Sequence, residues 1–518
     1  MRTLERSARR ILFAVDSTAT RLYGWALNPI HQTGTVAVAM LLVLLATGLY
    51  LVLFYRVGSP AASVARIAAD PWLGSWIRSL HRYASDLFVI AALLHALRMF
   101  AQARSWGPRT LAWVSGLVLL GTGLVCAWTG FVMAWDSFGE RLAREGGRLL
   151  DVLPILSEPV SRIFAGDRPV PSAFFFVNLF VHIAVPLAMG VALWLHVSRV
   201  ARPVLLPPRR LLWLLVGGLT AISVALPAPL GDAANPFELA RTTPTDLTIA
   251  WWLALTERLS PAVVWGVLIM VTMVAVLIPR LTRRPRAGSF SPSVVDPRLC
   301  TGCNQCPQDC PWEAITMVAR EDDRPTLVAR VDPSRCVSCG ICAGSCAPMG
   351  VGPPGRTGRD QLATLRSILD VADGPEPIVA IHCEQAPKAH VSAVHACGVR
   401  MHAVPCVGNL HSSVIELFLR NGVPGVIVFG CPPRDCVGRE GPKWLHERVF
   451  NDREAELQPR VDRRRVRLAT SAPGDLAGTL SALGEFTDAV AALDRPIPDA
   501  VSESAPECDA VTSSGPTP

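Results

Sequence analysis

Between residues 34 and 279 the chain is filled with apolar runs long enough to cross a lipid bilayer, at about 34–55, 79–103, 111–135, 173–198, 211–229 and 261–279. A hydrocarbon core of ~30 Å takes ~20 apolar residues of helix to span. Inside it each peptide group must find its partner within the protein, so such runs can only be a bundle of transmembrane helices. The fifth run is short and is ended by Pro227 and Pro229. Ahead of the first run, residues 2–27 are amphipathic and carry Arg2, Arg6, Arg9, Arg10 and Arg21. They lack a cleavable apolar core and read as a helix lying on the membrane surface.

Charge divides along the same line. Residues 1–286 hold 27 Arg against 14 acidic residues, and residues 287–518 hold 20 Arg and 2 Lys against 28. The excess of positive charge lies in the apolar half, which argues for a topology signal and against a nucleic-acid partner. Arg98, Arg104 and Arg109, then Arg199, Arg202, Arg209 and Arg210, then Arg280, Arg283, Arg284 and Arg286 form acid-free groups between alternate spans. By the positive-inside rule these groups face the cytoplasm. Six spans then leave both termini, and everything after residue 280, on the cytoplasmic side of the inner membrane.

Two histidine pairs stand inside the bundle. His81 and His95 are 14 residues apart in the second span, and His182 and His196 are 14 apart in the fourth. Fourteen residues bring a helix back to within ~40° of its starting face, ~21 Å further along. Two such helices can hold two metals stacked across the bilayer, and imidazole on both axial positions of a haem suits electron transfer. Buried, hydrogen-bonded histidines are the plain alternative, but ionisable groups are costly in lipid and the spacing occurs twice. Gly34 and Gly48 in the first span, and Gly116 and Gly130 in the third, repeat the same 14-residue period. They read as gaps for flat macrocycles, against the alternative of ordinary small-residue helix packing.

These residues carry a resemblance. Arg78-Ser-Leu-His81-Arg82, Leu94-His95-Ala-Leu-Arg98, Thr129-Gly130-Phe-Val-Met-Ala-Trp135-Asp136 and Asp232-Ala-Ala-Asn235-Pro236 resemble cytochrome b of bc-type and chloroplast-type quinol-oxidising complexes. The resemblance covers about 20–280. It implies two b haems, the outer on His81 and His182 and the cytoplasmic-side one on His95 and His196, with Arg78, Arg82 and Arg98 as propionate partners. The family's Pro-Glu-Trp-Tyr quinol-oxidation motif aligns with Ile249-Ala250-Trp251-Trp252, which replaces its glutamate by Ala250. The spans beyond the sixth are missing, and Gln32 stands where the chloroplast-type protein has a haem-binding cysteine.

Cysteine is as segregated as charge: Cys126 alone precedes residue 300, thirteen fall in 300–436, and Cys508 follows. A cytoplasmic setting disfavours disulfides, so metal or redox chemistry is expected. Cys300, Cys303, Cys306 and Cys310 form a C-x2-C-x2-C-x3-C run, as do Cys336, Cys339, Cys342 and Cys346. This is the spacing of a bacterial two-cluster 4Fe–4S ferredoxin, in which the fourth cysteine of each run serves the other cluster. One cluster would use Cys300, Cys303, Cys306 and Cys346, the other Cys336, Cys339, Cys342 and Cys310. Zinc sites more often use paired C-x2-C and histidine spacing.

After residue 377, short apolar runs (Ile378–His382, Arg400–Val404, Gly425–Phe429, Val466–Ala469) alternate with helical stretches (Ser412–Arg420, Leu476–Leu493), the pattern of a small α/β domain. Cys383, Cys406 and Cys431 end three of the strands, and strand ends of a parallel sheet converge where ligands bind. Four thiolates there can hold a 2Fe–2S cluster. The strings Val404-Pro-Cys406-Val-Gly-Asn409 and Val426-Ile-Val-Phe-Gly-Cys431-Pro-Pro-Arg-Asp435-Cys436 resemble the delta subunit of methyl-viologen-reducing hydrogenase. That resemblance implies electron exchange with heterodisulfide-reductase-type flavoproteins. The ligand set reads as Cys383, Cys406, Cys431 and Cys436, with Cys397 in competition. His382, His390, His395, His402 and His411 read as surface or packing residues.

The expected chain is therefore multidomain. A surface segment (1–33) precedes a six-span all-α membrane domain (34–280), and a linker (281–296) leads to a ferredoxin-like α+β module (297–349). A second linker with a short helix over Asp360–Val371 (350–376) joins this to an α/β domain (377–493) and a disordered tail (494–518). No nucleophile–base pair, Walker loop or dinucleotide fingerprint is present. The chain reads as an electron-transfer subunit of a membrane oxidoreductase complex. It would link a soluble flavoprotein, dehydrogenase or hydrogenase-type subunit to membrane quinone, with electrons entering at the α/β domain and direction left open. A self-contained quinol-oxidising cytochrome b with an appended ferredoxin is the alternative, and a scaffold with degenerate sites is a third.

Overall fold

The computed structural model describes residues 2–154, 158–164, 169–198, 203–235, 246, 248–282, 291–322, 324–369, 377–433 and 435–493. Arg199, Arg202, Arg283, Arg284, Arg286, Pro236, Cys508, most of the first linker and the 494–518 tail lie outside them.

The N-terminal half is helical. An amphipathic helix α1 (Arg2–Tyr23) is followed by α2 (Thr33–Phe54), the short α3 (Pro60–Ala69), α4 (Gly74–Ala101) and α5 (Thr110–Ala134). Then come α6 (Ser137–Leu150), α7 (Ser172–Ser198), α8 (Arg209–Ala225), a single turn α9 (Leu253–Thr256) and α10 (Pro261–Thr282). Among the described residues five helices are long and apolar enough to span a bilayer: those ending at Phe54, Ala101, Ala134, Ser198 and Thr282. The expected fifth span is instead the 17-residue α8. At ~1.5 Å per residue it rises ~26 Å, short of a full hydrocarbon core; its regular hydrogen bonding stops before Pro227.

Helix α2 packs along α4, and α5 along α7. Their shared core includes Met40, Ala84, Phe88, Val89 and Met189. Outward positions such as Leu42, Leu49, Leu53, Leu187 and Trp213 are exposed, as lipid-facing residues are. Helix α1 keeps Leu4, Ile11, Val15 and Leu22 exposed while it buries Glu5, Asp16, Ala19 and Thr20. Its polar face is sandwiched between α4 and the soluble half. Gly474 backs so closely onto it that an added Cβ would lie 2.4 Å from the Ser17 carbonyl oxygen.

The ferredoxin-like module is built on two antiparallel pairs. Strand β1 (Val294–Val295) pairs with β4 (Val351–Gly352), and β2 (Ile315–Val318) with β3 (Val328–Val331). Helices α11 (Gln305–Asp309) and α12 (Ile341–Gly344) follow the two cysteine turns. Gly302 and Gly340 take φ of +80° and +78° there, which only glycine adopts without strain.

The last domain is a four-stranded parallel sheet of order β6-β5-β7-β8, formed by β5 (Val379–Cys383), β6 (Arg400–Val404), β7 (Val426–Gly430) and β8 (Val466–Thr470). Period-two alternation sends Val379, Ile381, Val426 and Val428 to one core and Ala380, Ile427 and Phe429 to the other. Helices α14 (Lys388–Ala396) and α17 (Leu476–Leu493) cover the second face. Helices α13 (Gly358–Leu369), α15 (Ser412–Arg420) and α16 (Gly441–Phe450) cover the first. Leu365 of α13 is buried in that core, so the helix expected within the second linker is part of this domain.

The two soluble units are joined by buried polar contacts. Arg448, with no exposed surface, donates to Ser345 Oγ at 3.1 Å and to the Gly408 carbonyl at 2.9 Å. Asn409 donates to the Gly340 carbonyl at 3.1 Å, and His411 Nε2 meets the Cys346 carbonyl at 3.2 Å. Burial pulls the Arg448 guanidinium down to about 10, which still leaves it charged at neutral pH. Replacing Arg448 with Met strands these acceptors. It is expected to lower stability by about 2–4 kcal/mol, read as a lower urea midpoint of the full chain followed by tryptophan fluorescence.

Candidate functional site

Two imidazole pairs face each other across the bundle. The ring centroids of His81 and His182 are 6.3 Å apart, and those of His95 and His196 are 6.4 Å apart. Two imidazoles on opposite sides of one metal, at ~2 Å metal–nitrogen bonds, place their centroids about 6 Å apart. The spacing therefore fits bis-imidazole ligation of an iron.

The glycines sit against these rings. A Cβ on Gly34 would lie 2.9 Å from the His95 ring, and on Gly48 3.4 Å from that of His81. On Gly116 it would lie 3.1 Å from His196, and on Gly130 3.0 Å from His182. In each case the nearest atom is Cε1, or Cε1 together with Nδ1. The shared period thus has a steric cause on the neighbouring helix: the glycine admits the edge of an imidazole.

The residue before three of these glycines adds a second function. Thr47 Oγ1 lies 2.8 Å from His81 Nδ1, Ser115 Oγ 3.2 Å from His196 Nδ1 and Thr129 Oγ1 3.0 Å from His182 Nδ1. The Cys126 carbonyl is 2.9 Å from His182 Nδ1, and its Sγ is 3.7 Å away. Partners on Nδ1 orient the ring and leave Nε2 for a metal. These hydroxyls and Cys126 escaped the sequence reading. Their signal was the hydroxyl–glycine dipeptide recurring at Thr33-Gly34, Thr47-Gly48, Ser115-Gly116 and Thr129-Gly130.

The arginines are engaged with protein groups. Arg78 donates to the Ala228 carbonyl. Arg82 pairs with Asp86 and Asp246 at 2.5 Å each, and its guanidinium lies 4.5 Å from the Phe131 ring centroid. Arg98 is 3% exposed and bridges Asp16 and Asp435, at 2.7 Å to each. His31 completes a compact cluster with those two carboxylates.

The cysteines fall into three groups. Cys300, Cys303, Cys306 and Cys346 line one hollow. Cys310, Cys336, Cys339 and Cys342 line another. The crossed partition expected from the spacing is the one the fold brings together. Backbone N–H groups already point at the sulfurs: Ser293 at Cys336 (3.4 Å), Ala314 at Cys310 (3.4 Å) and Gly350 at Cys346 (3.3 Å). Such donors are what tune a bound iron–sulfur cluster. Burial pushes the Cys339 thiol up to about 12 and Cys342 well above its ordinary value. Ionisation there needs a cation to offset the burial.

The third group stands at the carboxyl ends of β5, β6 and β7. Cys383 interacts with Cys431, and Cys406 with Cys436. All four are buried, whereas Cys397 is exposed at the end of α14 and bonds back to the Ala393 carbonyl. The Cys406 contact, helped by backbone donors at Gly441 and Gly438 and by Arg104, brings Cys436 down to about 7. Gly438 and Gly441, unmarked in the sequence reading, make the space: a Cβ on Gly441 would lie 2.7 Å from Cys406 Sγ. His382, His390, His395, His402 and His411 are not in the group. His390 bonds to Ser471 and Thr479, and His402 packs on Phe418.

Paired intramembrane imidazoles and clustered thiols define a membrane redox protein. The comparisons agree region by region. Residues 20–202 match the family model for cytochrome b/b6/petB. Residues 299–350 match that of the 4Fe-4S dicluster domain, and residues 378–494 that of the delta subunit of methyl-viologen-reducing hydrogenase. A solved structure described as "Hyperthermophilic respiratory Complex III" is similar at 17% identity and a TM-score of 0.38, over 48% of this chain and 74% of that one. The chain is a membrane electron-transfer protein in which a cytochrome b region, implying haem, precedes a 4Fe–4S region and a hydrogenase-delta-like region.

Gly130→Val should drive a branched side chain into the His182 ring, whereas a Cβ at Gly121, in the same helix, meets nothing within 4 Å. Haem content per chain, measured by pyridine haemochrome, is expected to fall in Gly130→Val and to stay unchanged in Gly121→Val.

Proposed function

We propose that the chain conducts electrons between a soluble redox partner and membrane quinone. In this reading His81 with His182, and His95 with His196, hold two b haems. Arg78, Arg82 and Arg98 supply positive charge at the ends of the sites, and Gly34, Gly48, Gly116 and Gly130 provide clearance. The two crossed ferredoxin groups hold two 4Fe–4S clusters, and Cys383, Cys406, Cys431 and Cys436 hold a 2Fe–2S cluster. Haem and iron–sulfur centres supply reversible one-electron chemistry. The partner is a heterodisulfide-reductase-type flavoprotein, a dehydrogenase or a hydrogenase-type subunit.

The observation that carries this reading is the continuity of the sites. The soluble half rests on the end of the bundle that holds His95 and His196, through Arg98, Arg104 and Arg109. Those arginines belong to the acid-free groups, which supports a cytoplasmic position for the soluble half in the inner membrane. Helix α8 would then serve as the sixth crossing, with its flanking residues completing the span. Ala250 argues against the quinol-oxidising alternative. It is 5% exposed and packs with Val132, Phe138, Leu142 and Leu253, so an apolar cluster takes the place of the carboxylate that the resemblance would supply.

What this chain's residues do follows from their placement. The hydroxyls on Nδ1 hold the His81, His182 and His196 imidazoles in one tautomer, so no proton need move at those rings when charge arrives. The N–H groups aimed at cysteine sulfur favour the more negative state of whatever they bind. The purified chain is expected to show a bis-imidazole b-type spectrum with two haems per chain. Reduced, it should give interacting 4Fe–4S signals plus a separate 2Fe–2S signal by electron paramagnetic resonance. Cys431→Ser should abolish the last signal alone. One haem per chain, or a 2Fe–2S signal that survives Cys431→Ser, would overturn the corresponding assignment.

A further inference from the structure

The loop that carries Cys436 is fastened to the membrane region by its own neighbours. Asp435 accepts from Arg98 at 2.7 Å and from Gln102 Nε2 at 2.9 Å, and its backbone carbonyl accepts from Arg104 at 2.9 Å. The Val437 carbonyl accepts from Arg109 at 3.1 Å. Arg98 lies three residues beyond His95 on α4, about one helical turn. Its other nitrogen is held by Asp16 of α1. Four side chains from one end of the bundle thus grip residues 435–437, and that end is the one with the His95–His196 pair. On the far side of the loop, Cys339 of the second ferredoxin group approaches the same site. A Cβ on Gly438 would lie 3.2 Å from Cys406 Sγ, 3.6 Å from Cys339 Cβ and 3.9 Å from Cys436 Sγ.

We propose that the third cysteine site is the gateway between the ferredoxin groups and the inner histidine pair, with Asp435 as the clamp that holds it there. This rests on the reading above that these cysteines and histidines hold redox centres. The order is then the Cys300 group, the Cys336 group, the Cys383–Cys436 group and the His95–His196 pair. With those centres bound, one electron would leave the Cys336 group's reduced centre, oxidising it by one unit, and would be taken up at the Cys383–Cys436 group. That group's centre would return to its oxidised state as the centre held by His95 and His196 is reduced by one unit. No bond is made or broken in either hop, and both run backwards when quinol is the donor. The order moves the entry point away from the α/β domain, where the sequence reading put it, to the ferredoxin face on which Cys303 is exposed.

A competing route bypasses the third site. Trp312, two residues after Cys310, has the Arg109 guanidinium 4.8 Å from its ring centroid, so the second ferredoxin group also touches the bundle directly. The two routes separate in one experiment on the full chain in detergent. Haem spectra and iron–sulfur signals are recorded first, and their absence in wild type would defeat the underlying reading before any kinetics are run. The protein is then reduced with dithionite, freed of excess reductant and mixed anaerobically with a short-chain quinone. Haem reoxidation is followed optically and the clusters by freeze-quenched paramagnetic resonance. In wild type the haems and 4Fe–4S centres are expected to reoxidise in one fast sequence. In Cys436→Ser the haems reoxidise fast while the 4Fe–4S signals persist. Asp435→Asn keeps every cysteine, and so decides the matter if the serine variant fails to fold. It is expected to retain all static signals and to lose the fast 4Fe–4S phase. Fast 4Fe–4S reoxidation in Cys436→Ser, or in Asp435→Asn where the serine variant does not fold, overturns the gateway in favour of the Trp312 route. Slow reoxidation in Cys436→Ser with fast reoxidation in Asp435→Asn overturns the clamp alone.

Discussion

An imidazole in the middle of a bilayer must be dry, oriented and close to its partner at once, and the membrane region is arranged around meeting that demand four times. Orientation comes, for His81, His196 and His182, from Thr47, Ser115 and from Thr129 with the Cys126 carbonyl. Closeness comes from Gly34, Gly48, Gly116 and Gly130, where any Cβ would crowd a ring. Because ring clearance and hydroxyl come from the same turn of a neighbouring helix, α2 must lie along α4, and α5 along α7. The tight helix pairs are thus a consequence of the ligand geometry as much as of apolar packing.

The junction between the halves obeys a different rule. Arg98 is nearly inaccessible, and a buried guanidinium is tolerated only when fully paired. Asp16 and Asp435 pair it from two separate parts of the chain. Burial pushes the Asp435 carboxyl up, but the Arg98, Arg104 and His31 charges and the Arg98 hydrogen bond together outweigh it and hold the carboxyl below its ordinary value. Its ionised form is therefore the one present at neutral pH. The amphipathic α1 is placed by the same cluster, with polar residues toward the ion pair and Leu4, Ile11 and Val15 outward. What reads in sequence as a surface helix is also a strut between the bundle and the α/β domain.

Much of the candidate site was legible because its chemistry imposes local spacing. A cubane needs thiolates on a tight turn, which writes C-x2-C-x2-C into the chain, and a two-haem helix needs histidines on one face, which writes a 14-residue interval. The parallel strands were legible for a similar reason, since Cys383 and Cys431 mark their ends. Helices α14 and α16 were not, because α14 is short and weakly amphipathic and α16 follows a Gly-Arg-Glu-Gly stretch that reads as loop. Cys126 had no role in sequence because its partner, His182, lies 56 residues away on another helix.

Sequence alone settled which residue types stand at which intervals: the spanning runs, both histidine pairs, the glycines and the eight ferredoxin cysteines. Those patterns depend on the period of one helix or one turn, and a chain displays them without folding. Tertiary structure decided everything that depends on distance between distant segments. It brought Cys383, Cys406, Cys431 and Cys436 together and left Cys397 apart, because three strand ends and one loop converge while α14 turns its cysteine to solvent. It shortened α8, gave the glycines imidazoles as neighbours, and set the third cysteine group between Cys339 and the membrane. That last placement follows from a single buried arginine that needs two carboxylates, one of which comes from 337 residues further along the chain.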